Sequence, residues 1–585
     1  MKRSVKLICI SLIVSAVFMA GPVLAAPAVL QYMPADAAAI VVTKPLLDLS
    51  AKVDLFARQI GLPIPPEQPL NLAALLGAQL ATQLGTFVPV DADGEFGLAI
   101  GDFNNPEQSM VAFIPVKDPQ ALIDTLANKT DAGGGIWALP SQACVKAADK
   151  YLLMSPNADV LNALSQGARG VTLSDIDAQL FSQSDFSATF NLSAVMGMLE
   201  EKALQEIRND PELGQMLGLQ QMASMVIERV VELQQVSVGG RLGQSGVNLD
   251  MNFQAVPGSR LAGFLANHPA TDYAELSRLP AGDYAAAYVF DMNSKAFEAP
   301  LNALLDAVAE DPNLSVKIGP ENIAKMKSLI RRTCALGSAG AFATYVPSMP
   351  TDPNSAVAVQ TKMMGVGIYR DAKQALALMP EWCELTSDVV SQFGFNLPMA
   401  YKANAGQIAG VPYGEVAVDL SQLPLPPEAM QAMALQYGGQ LQFVEQLARI
   451  DNQRLAIGVG PGALKEMLEF AGSGQPGLNQ DPALNKVADN LPAKANFFGF
   501  GNVGNAMRSM LSQPNMPPQA MMMMGLLGQM QGTVGMAATL DAGAVQMNVF
   551  IPSELIQSGV MMAMQMQAQM MGGQGPGGAQ PPPTF

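Results

Sequence analysis

The chain has one histidine, four cysteines and two tryptophans in 585 residues, and only 14% of it is charged. Each scarcity removes a class of function. With His268 alone, most His-based metal centres are excluded, and a Ser–His or Cys–His couple has a single base to draw on. A lone His before a Pro, as in Ala266-Asn267-His268-Pro269, reads as a loop residue rather than a catalyst. No Cys-x-x-Cys occurs, so a thioredoxin-type redox site has no support. There is no Gly-x-Ser-x-Gly elbow and no Ser followed three residues later by Lys. Lys and Arg number 33 against 50 Asp and Glu, a net charge of −17, whereas phosphate binding needs a concentrated basic surface. Nucleic acid is therefore not an expected partner.

What is present begins with an export signal. Met1-Lys2-Arg3-Ser4-Val5-Lys6 is basic, Leu7 to Ala20 is apolar, Gly21-Pro22 ends the run, and Val23-Leu24-Ala25 supplies the small residues of a cleavage site. The run is shorter than the roughly 20 residues that span a bilayer. Cleavage after Ala25 is expected, leaving a periplasmic or secreted chain whose net charge moves from −17 to −20 as Lys2, Arg3 and Lys6 are lost. No second apolar run of about 18 residues follows, so no transmembrane segment is expected after signal removal. Three cysteines remain. In an oxidising compartment Cys334 and Cys383 can form a disulfide, worth roughly 4 kcal/mol on the chain-entropy model. Cys144, between Ala143 and Val145, reads as a buried small hydrophobe.

Comparing the chain with itself reveals a duplication. Leu30-Gln31-Tyr32-Met33-Pro34-Ala35-Asp36 leads to an apolar strand and the helical pattern Leu46 to Gln59. Leu276-Ser277-Arg278-Leu279-Pro280-Ala281-Gly282-Asp283 leads to another strand and a helix, Ala296 to Val308. Phe113 to Leu122 matches Gly367 to Leu376, and in both a strand ends in a basic–acidic pair whose Asp (Asp118, Asp371) is placed to cap the next helix. Lys150–Ser155 with Ala158–Leu164 answers Gln453–Gly458 with Ala463–Leu468. A closing hairpin, Val236–Leu242 and Val247–Val256, answers Thr533–Leu540 and Ala544–Ile551. A further strand-helix unit, Phe186–Asn191 with Ala194–Leu204, answers Ala495–Phe498 with Asn505–Leu511. The fold class expected is α+β: two tandem homologous halves, each a largely antiparallel sheet with packed helices. The divisions are 1–25 signal peptide, 26–270 first repeat, 271–560 second repeat, and 561–585 a Met-rich then Gly/Pro-rich disordered tail. Leu199–Gln235 reads as one or two amphipathic helices, broken near Asp210-Pro211.

Gly499-Phe500-Gly501-Asn502-Val503-Gly504 has the spacing of a dinucleotide-binding loop, but its match in the first half, Phe190-Asn191-Leu192-Ser193, has no glycine, and no acidic residue follows at the distance a ribose needs. It reads as a tight strand-helix turn, as does Gly458-Val459-Gly460-Pro461-Gly462. Glu200-Glu201 reads as a solvated helix face. Sixteen of the 37 methionines fall in the last 85 residues. Met561, Met562, Met564, Met566, Met570 and Met571 are candidate Cu(I) ligands through soft thioether sulfur, or else a pliable apolar surface; Met521–Met524 reads as core packing.

The signal peptide, the Leu- or Met-Pro-Ala start with an Asp close behind, the Val116-Lys117-Asp118-Pro119 helix start and the Tyr151–Leu164 unit together resemble exported bacterial proteins of a domain-of-unknown-function kind. The resemblance spans most of both halves; it implies an envelope or extracellular setting and offers no catalytic residues to carry over. The expected function is that of a non-enzymatic exported protein that presents a sheet or groove to a protein partner or envelope component, without a cofactor. The alternatives are a carrier of an apolar ligand or lipid held between sheet and helices, and an enzyme with paired carboxylates from distant positions.

Overall fold

The structure, a computed structural model, describes residues 26–572 apart from 66, 167–169, 194–204, 206–226, 228–230, 347–361, 394–395, 424–429, 431–440, 512–529, 531 and 542. The signal sequence, the Gly/Pro-rich end, the helices read over Ala194–Leu204, most of Leu199–Gln235 and Met521–Met524 lie outside the described residues. The Leu199–Gln235 reading runs too far in one respect, because a strand has already begun at Leu233.

Among the described residues there are twenty strands, most of them runs of apolar residues bounded by Gly, Pro, Asn and Asp. The N-terminal ten are β1 (Ala39–Pro45), β2 (Glu95–Ile100), β3 (Met110–Pro115), β4 (Thr130–Gly133), β5 (Ile136–Ala138), β6 (Cys144–Ala148), β7 (Tyr151–Ser155), β8 (Phe186–Asn191), β9 (Leu233–Gly243) and β10 (Gly246–Ala255). The C-terminal ten are β11 (Tyr284–Met292), β12 (Ser338–Tyr345), β13 (Lys362–Ile368), β14 (Met399–Ile408), β15 (Val411–Asp419), β16 (Gln442–Arg449), β17 (Arg454–Val459), β18 (Phe497–Asn502), β19 (Thr533–Asp541) and β20 (Ala544–Pro552).

All twenty belong to one sheet, and every pairing among them is antiparallel. From one end the order is β4-β5-β6-β7-β3-β2-β1-β8-β9-β10. From the other it is β14-β15-β16-β17-β13-β12-β11-β18-β19-β20. β10 and β20 meet in the middle, Gly246 facing Pro552 and Gln254 facing Ala544. The central pair of that register is Asp250–Asn548.

Helices cover both faces. In the N-terminal part Ile40, Val42, Phe113 and Leu153 pack with the short 3-10 helix Ala28–Tyr32 and with helices Ala158–Gln166 and Asp175–Gln183. The opposite face, with Leu98, Ala112, Ile114 and Val247, packs with helices Leu46–Gln59 and Leu72–Leu84. The second of these ends on Gly85, whose left-handed φ of 71° is natural to glycine at a helix end. The C-terminal part repeats the arrangement on one face, where Ala287, Val289, Phe498, Phe500 and Phe550 pack beneath helices Ala463–Ser473 and Pro482–Ala488. On its other face helices Ser294–Glu310, Pro320–Leu336 and Ala372–Gln392 largely pack on one another. Asp118 and Asp371 cap as their sequence context predicts, accepting from the N–H groups of Ala121 (2.9 Å) and Gln374 (3.0 Å). The last helix, Ser553–Gly572, lies against β10 and β20, and its Ile556 and Val560 join the N-terminal core. No helix of the described residues is long and apolar enough to cross a membrane.

Candidate binding surface

Glycines in β12, β13 and β18 let aromatic rings lie close over the sheet, as Gly240 on β9 does for the single ring of Phe186 in the N-terminal part, where a Cβ would fall 2.0 Å from the ring. On one face of the sheet Tyr288 stands opposite Phe342 on β12 and Gly499 on β18, while Phe290 stands opposite Phe497 and Gly340. Phe342 in turn faces Gly365 on β13. With no side chain beneath them, the rings lie down over the glycines. A Cβ at Gly365 would fall 2.2 Å from Phe342 Cδ1, one at Gly340 2.9 Å from Phe342 Cε2, and one at Gly499 3.0 Å from Phe497 Cε1.

The result is a tiling rather than the usual edge-to-face cluster. Tyr288 and Phe342 have centroids 5.3 Å apart and planes 16° apart; Phe290 and Phe342, 6.1 Å and 6°; Tyr288 and Phe497, 6.4 Å and 19°. All four rings are half-buried, and on the same face half-buried Met536, Met547, Val549 and Met251 lead to Leu249, which packs with Ile556 and Val560 of the last helix. Burial pushes the Tyr288 hydroxyl above the usual phenol range, so it stays neutral and offers one polar handle on an otherwise apolar floor. At the same places in the N-terminal strand order stand Val41, Thr43, Leu98 and Phe186, and the glycines are replaced by Phe96, Ala112 and Ala188. There Val41 and Leu98 are packed in one cluster with Leu49 and Phe56 of helix Leu46–Gln59. The C-terminal part differs in the number of contiguous rings, four against the single Phe186 over Gly240, and one of the four, Phe342, also packs against the cluster of Cys383, Val416, Leu447 and Ile457.

Glu445 lies on the continuation of this face, opposite Val459 and Val416, and burial pushes its carboxyl above the usual range. A folded-state pKa above the unfolded value means that stability is lost as pH rises from about 4.3 through the folded value. Glu445→Gln is therefore expected to raise the urea midpoint at pH 7.5 and to leave it unchanged below about pH 4, where the unfolded and folded carboxyls are both protonated. Equal gains at both pH values would contradict the buried-charge account.

A second departure is polar. Asp177, fully buried on helix Asp175–Gln183, accepts hydrogen bonds from Ser174 Oγ (2.6 Å), Gln235 Nε2 (2.7 Å), Asn252 Nδ2 (2.9 Å) and Gln254 Nε2. Ser237 and Thr189 extend the network beneath it. The corresponding residues in the C-terminal strand order are Leu484, Thr533, Phe550, Pro552, Gly535 and Phe500, of which only Thr533 is polar, its hydroxyl bonded to that of Tyr284 (3.0 Å). An open cleft of about 740 Å³ lies at the N-terminal part, lined by Phe87, Val90, Asp91, Lys117, Asp118 and Leu122. Asp118 is occupied there by its helix cap.

The residues singled out from sequence are dispersed. His268 is held at both nitrogens by main chain: Nδ1 accepts from the Asn293 N–H (3.2 Å), so Nε2 donates to the Phe264 carbonyl (2.6 Å). Its ring packs edge-on against Phe264 and Phe297, so it ties helix Arg260–Leu265 to the start of helix Ser294–Glu310. Cys334 and Cys383, which the sequence allows to bridge, are both buried free thiols in different core clusters, and burial raises both. Cys144 is likewise buried and free. Met561 and Met564 are exposed and Met562 is half-buried on helix Ser553–Gly572; the side chains of Met566, Met570 and Met571 lie outside the described residues. Among the described residues no group of three or more His, Cys, Asp or Glu could hold a metal ion. Gly499 and Gly501 lie within β18 rather than in a loop, so the dinucleotide spacing has a structural origin in the glycine floor.

The fold and surface define an α+β protein with one large antiparallel sheet and an aromatic face. No family model and no curated protein matches the chain. A solved structure described as crystal form III of TP0453 is similar over 49% of this chain and 97% of that one, with 11% identity and a TM-score of 0.19, a likeness too slight to carry an argument.

Proposed function

We propose that this is an exported, non-enzymatic binding protein, built from two copies of one α+β unit, that holds an apolar component of the envelope on the Tyr288–Phe290–Phe342–Phe497 pavement. The pavement carries the reading. Phe342 and Phe497 lie close over glycine and Tyr288 and Phe290 stack beside them, so the set offers ring faces, and face contact suits ring lipids, acyl chains and other molecules rich in C–H surface. The duplication is supported by the strand order, which reads alike from both ends of the sheet, and by the paired caps at Asp118 and Asp371. Comparison of the two units then supports a specialised role for the second, where glycine and aromatics replace ordinary core residues. The export signal supports a periplasmic or secreted setting, and cleavage after Ala25 predicts that the mature chain begins at Ala26.

A neutral polarity-sensitive dye tests the surface directly. The full chain is expected to bind Nile red saturably, and Tyr288→Ala with Phe342→Ala to weaken binding by about tenfold or more, the equivalent of roughly 1.4 kcal/mol. Unchanged affinity would remove the pavement as the site. A protein partner is the second reading, favoured by Leu47, Leu55, Leu75 and Phe87, which are exposed on the N-terminal part.

A further inference from the structure

The middle of the sheet is a junction between strands that hold the same place in their respective units. In such an antiparallel pairing the central position faces its own counterpart, as a residue on the axis of a twofold dimer faces itself. Here that position is Asp250 on β10 and Asn548 on β20, each the fifth residue of its strand. Asp250 is buried; it accepts from Asn548 Nδ2 (2.6 Å) and pairs with Arg241 Nη2 on β9 (3.1 Å). The place of Arg241 is taken on β19 by Thr539.

This asymmetry decides which edges pair. Were β10 to meet β10 of a second copy in the same register, Asp250 would face Asp250, two carboxylates a few ångströms apart in a buried position. The other facing pairs, such as Met251 with Leu249 and Asn248 with Asn252, would be tolerable. Meeting β20 replaces one carboxylate by a carboxamide that donates to the other. We infer that the Asp250–Asn548 pair makes the central seam accept only unlike units, so that β10 is closed by β20 of its own chain and not by a second copy. The inference rests on the duplication reading, which sets the two positions as equivalents.

The other charged groups on elements packed against β10 and β20 are Asp175 and Asp177, the latter held by its amide donors, Asp541 at the end of β19, Lys486 paired with Glu554, and Arg260, which opens helix Arg260–Leu265. Two carboxylates on the axis would therefore share Arg241 as their near cation.

The test uses full-length chain. At pH 7.5 Asn548→Asp is expected to melt well below both the wild type and Asn548→Ala, and its deficit relative to Asn548→Ala should shrink by pH 4, where one facing carboxyl takes a proton. Equal melting of the Asp and Ala variants at both pH values would overturn the inference. Should Asn548→Asp not fold at neutral pH, Asp250→Asn keeps the question open to refutation. Refolded at high concentration, it should give more chain dimer than wild type by size-exclusion, since Asn facing Asn carries no penalty; equal dimer yields would count against the inference. A fourfold exchange (Arg241→Thr, Asp250→Asn, Thr539→Arg, Asn548→Asp) rebuilds the network on the other side of the axis and should regain most of the lost melting temperature. Failure of that exchange alone, with the single variants behaving as expected, leaves the pairing rule standing and removes the equivalence of the two units.

Discussion

Leu484→Asp is expected to destabilise the protein by about 4 kcal/mol or more, although an aspartate is native at the corresponding place. Both residues are the third of their helix, both are fully buried, and both give their N–H to a capping side chain, Ser174 for Asp177 (3.2 Å) and Asp481 for Leu484 (2.8 Å). The local backbone is therefore alike, and the difference lies in what surrounds the side chain. Asp177 is met by a serine hydroxyl and three carboxamides; Leu484 belongs to a cluster with Val487, Leu491, Phe498 and Phe550, in which the buried hydroxyls of Tyr284 and Thr533 are already bonded to each other (3.0 Å). A carboxylate placed there either stays ionised without partners or titrates to the neutral acid, and both routes reduce stability at neutral pH. The converse change, Asp177→Leu, leaves Gln235, Asn252 and Gln254 without their acceptor and should cost less, about 2–3 kcal/mol, because Gln235 and Gln254 can turn towards water. The two tryptophans separate the effects. Trp137 on β5 reports the N-terminal part, and Trp382, donating to Thr333 Oγ1 (3.0 Å), reports the C-terminal part. In urea titrations of single-tryptophan variants, Leu484→Asp should shift the Trp382 transition and Asp177→Leu the Trp137 transition. Equal shifts of both probes by both variants would mean that the two parts unfold as one unit.

Gly365→Val carries the second large effect, on binding. Even a single Cβ at this position would lie 2.2 and 2.5 Å from two carbons of the Phe342 ring, inside any real contact, and valine adds two methyls to it. Across β17 the facing residue is Ile457, itself buried, so the Phe342 ring is the group that must yield. The ring must tilt off the sheet or leave its rotamer, at a stability cost of about 1–3 kcal/mol. Apolar area is not lost in this variant, so a site that depended only on greasiness would keep its affinity. A site that depends on a flat floor should lose about tenfold or more in binding of the same neutral dye, the equivalent of roughly 1.4 kcal/mol. Gly499→Ala, where the contact to Phe497 is 3.0 Å, should act in the same direction and less strongly.

Much of the architecture was readable because it depends on local signals. The helix Leu46–Gln59, the caps at Asp118 and Asp371 and the two closing hairpins follow from periodicity, short polar side chains and turn residues, and all are present in the structure. The helical reading over Leu199–Gln235 overran into β9, since Val231, Leu233 and Val236 suit either period. The pavement was not readable. Its rings come from β11, β12 and β18, far apart in sequence, and only the register puts Tyr288 beside Phe342 and Phe290 beside Phe497. One signal was there: Tyr288-x-Phe290 alternates, and Gly365-x-Gly367 and Gly499-x-Gly501 alternate too, the period of a strand face. Glycine at that spacing is equally the pattern of a phosphate loop, and sequence alone does not separate that loop from a strand face. The Asp177 hub escaped for a related reason, because its donors Gln235, Asn252 and Gln254 look like ordinary polar strand residues until the helix is laid over them.

Non-denaturing mass spectrometry of the full chain, purified from its own envelope without detergent exchange, tests the central claim most directly. The account predicts a bound apolar small molecule on the wild type, released on denaturation, and its absence or marked depletion from Gly365→Val prepared in the same way. A wild-type chain that carries no small molecule and instead retains a stoichiometric protein partner would contradict it.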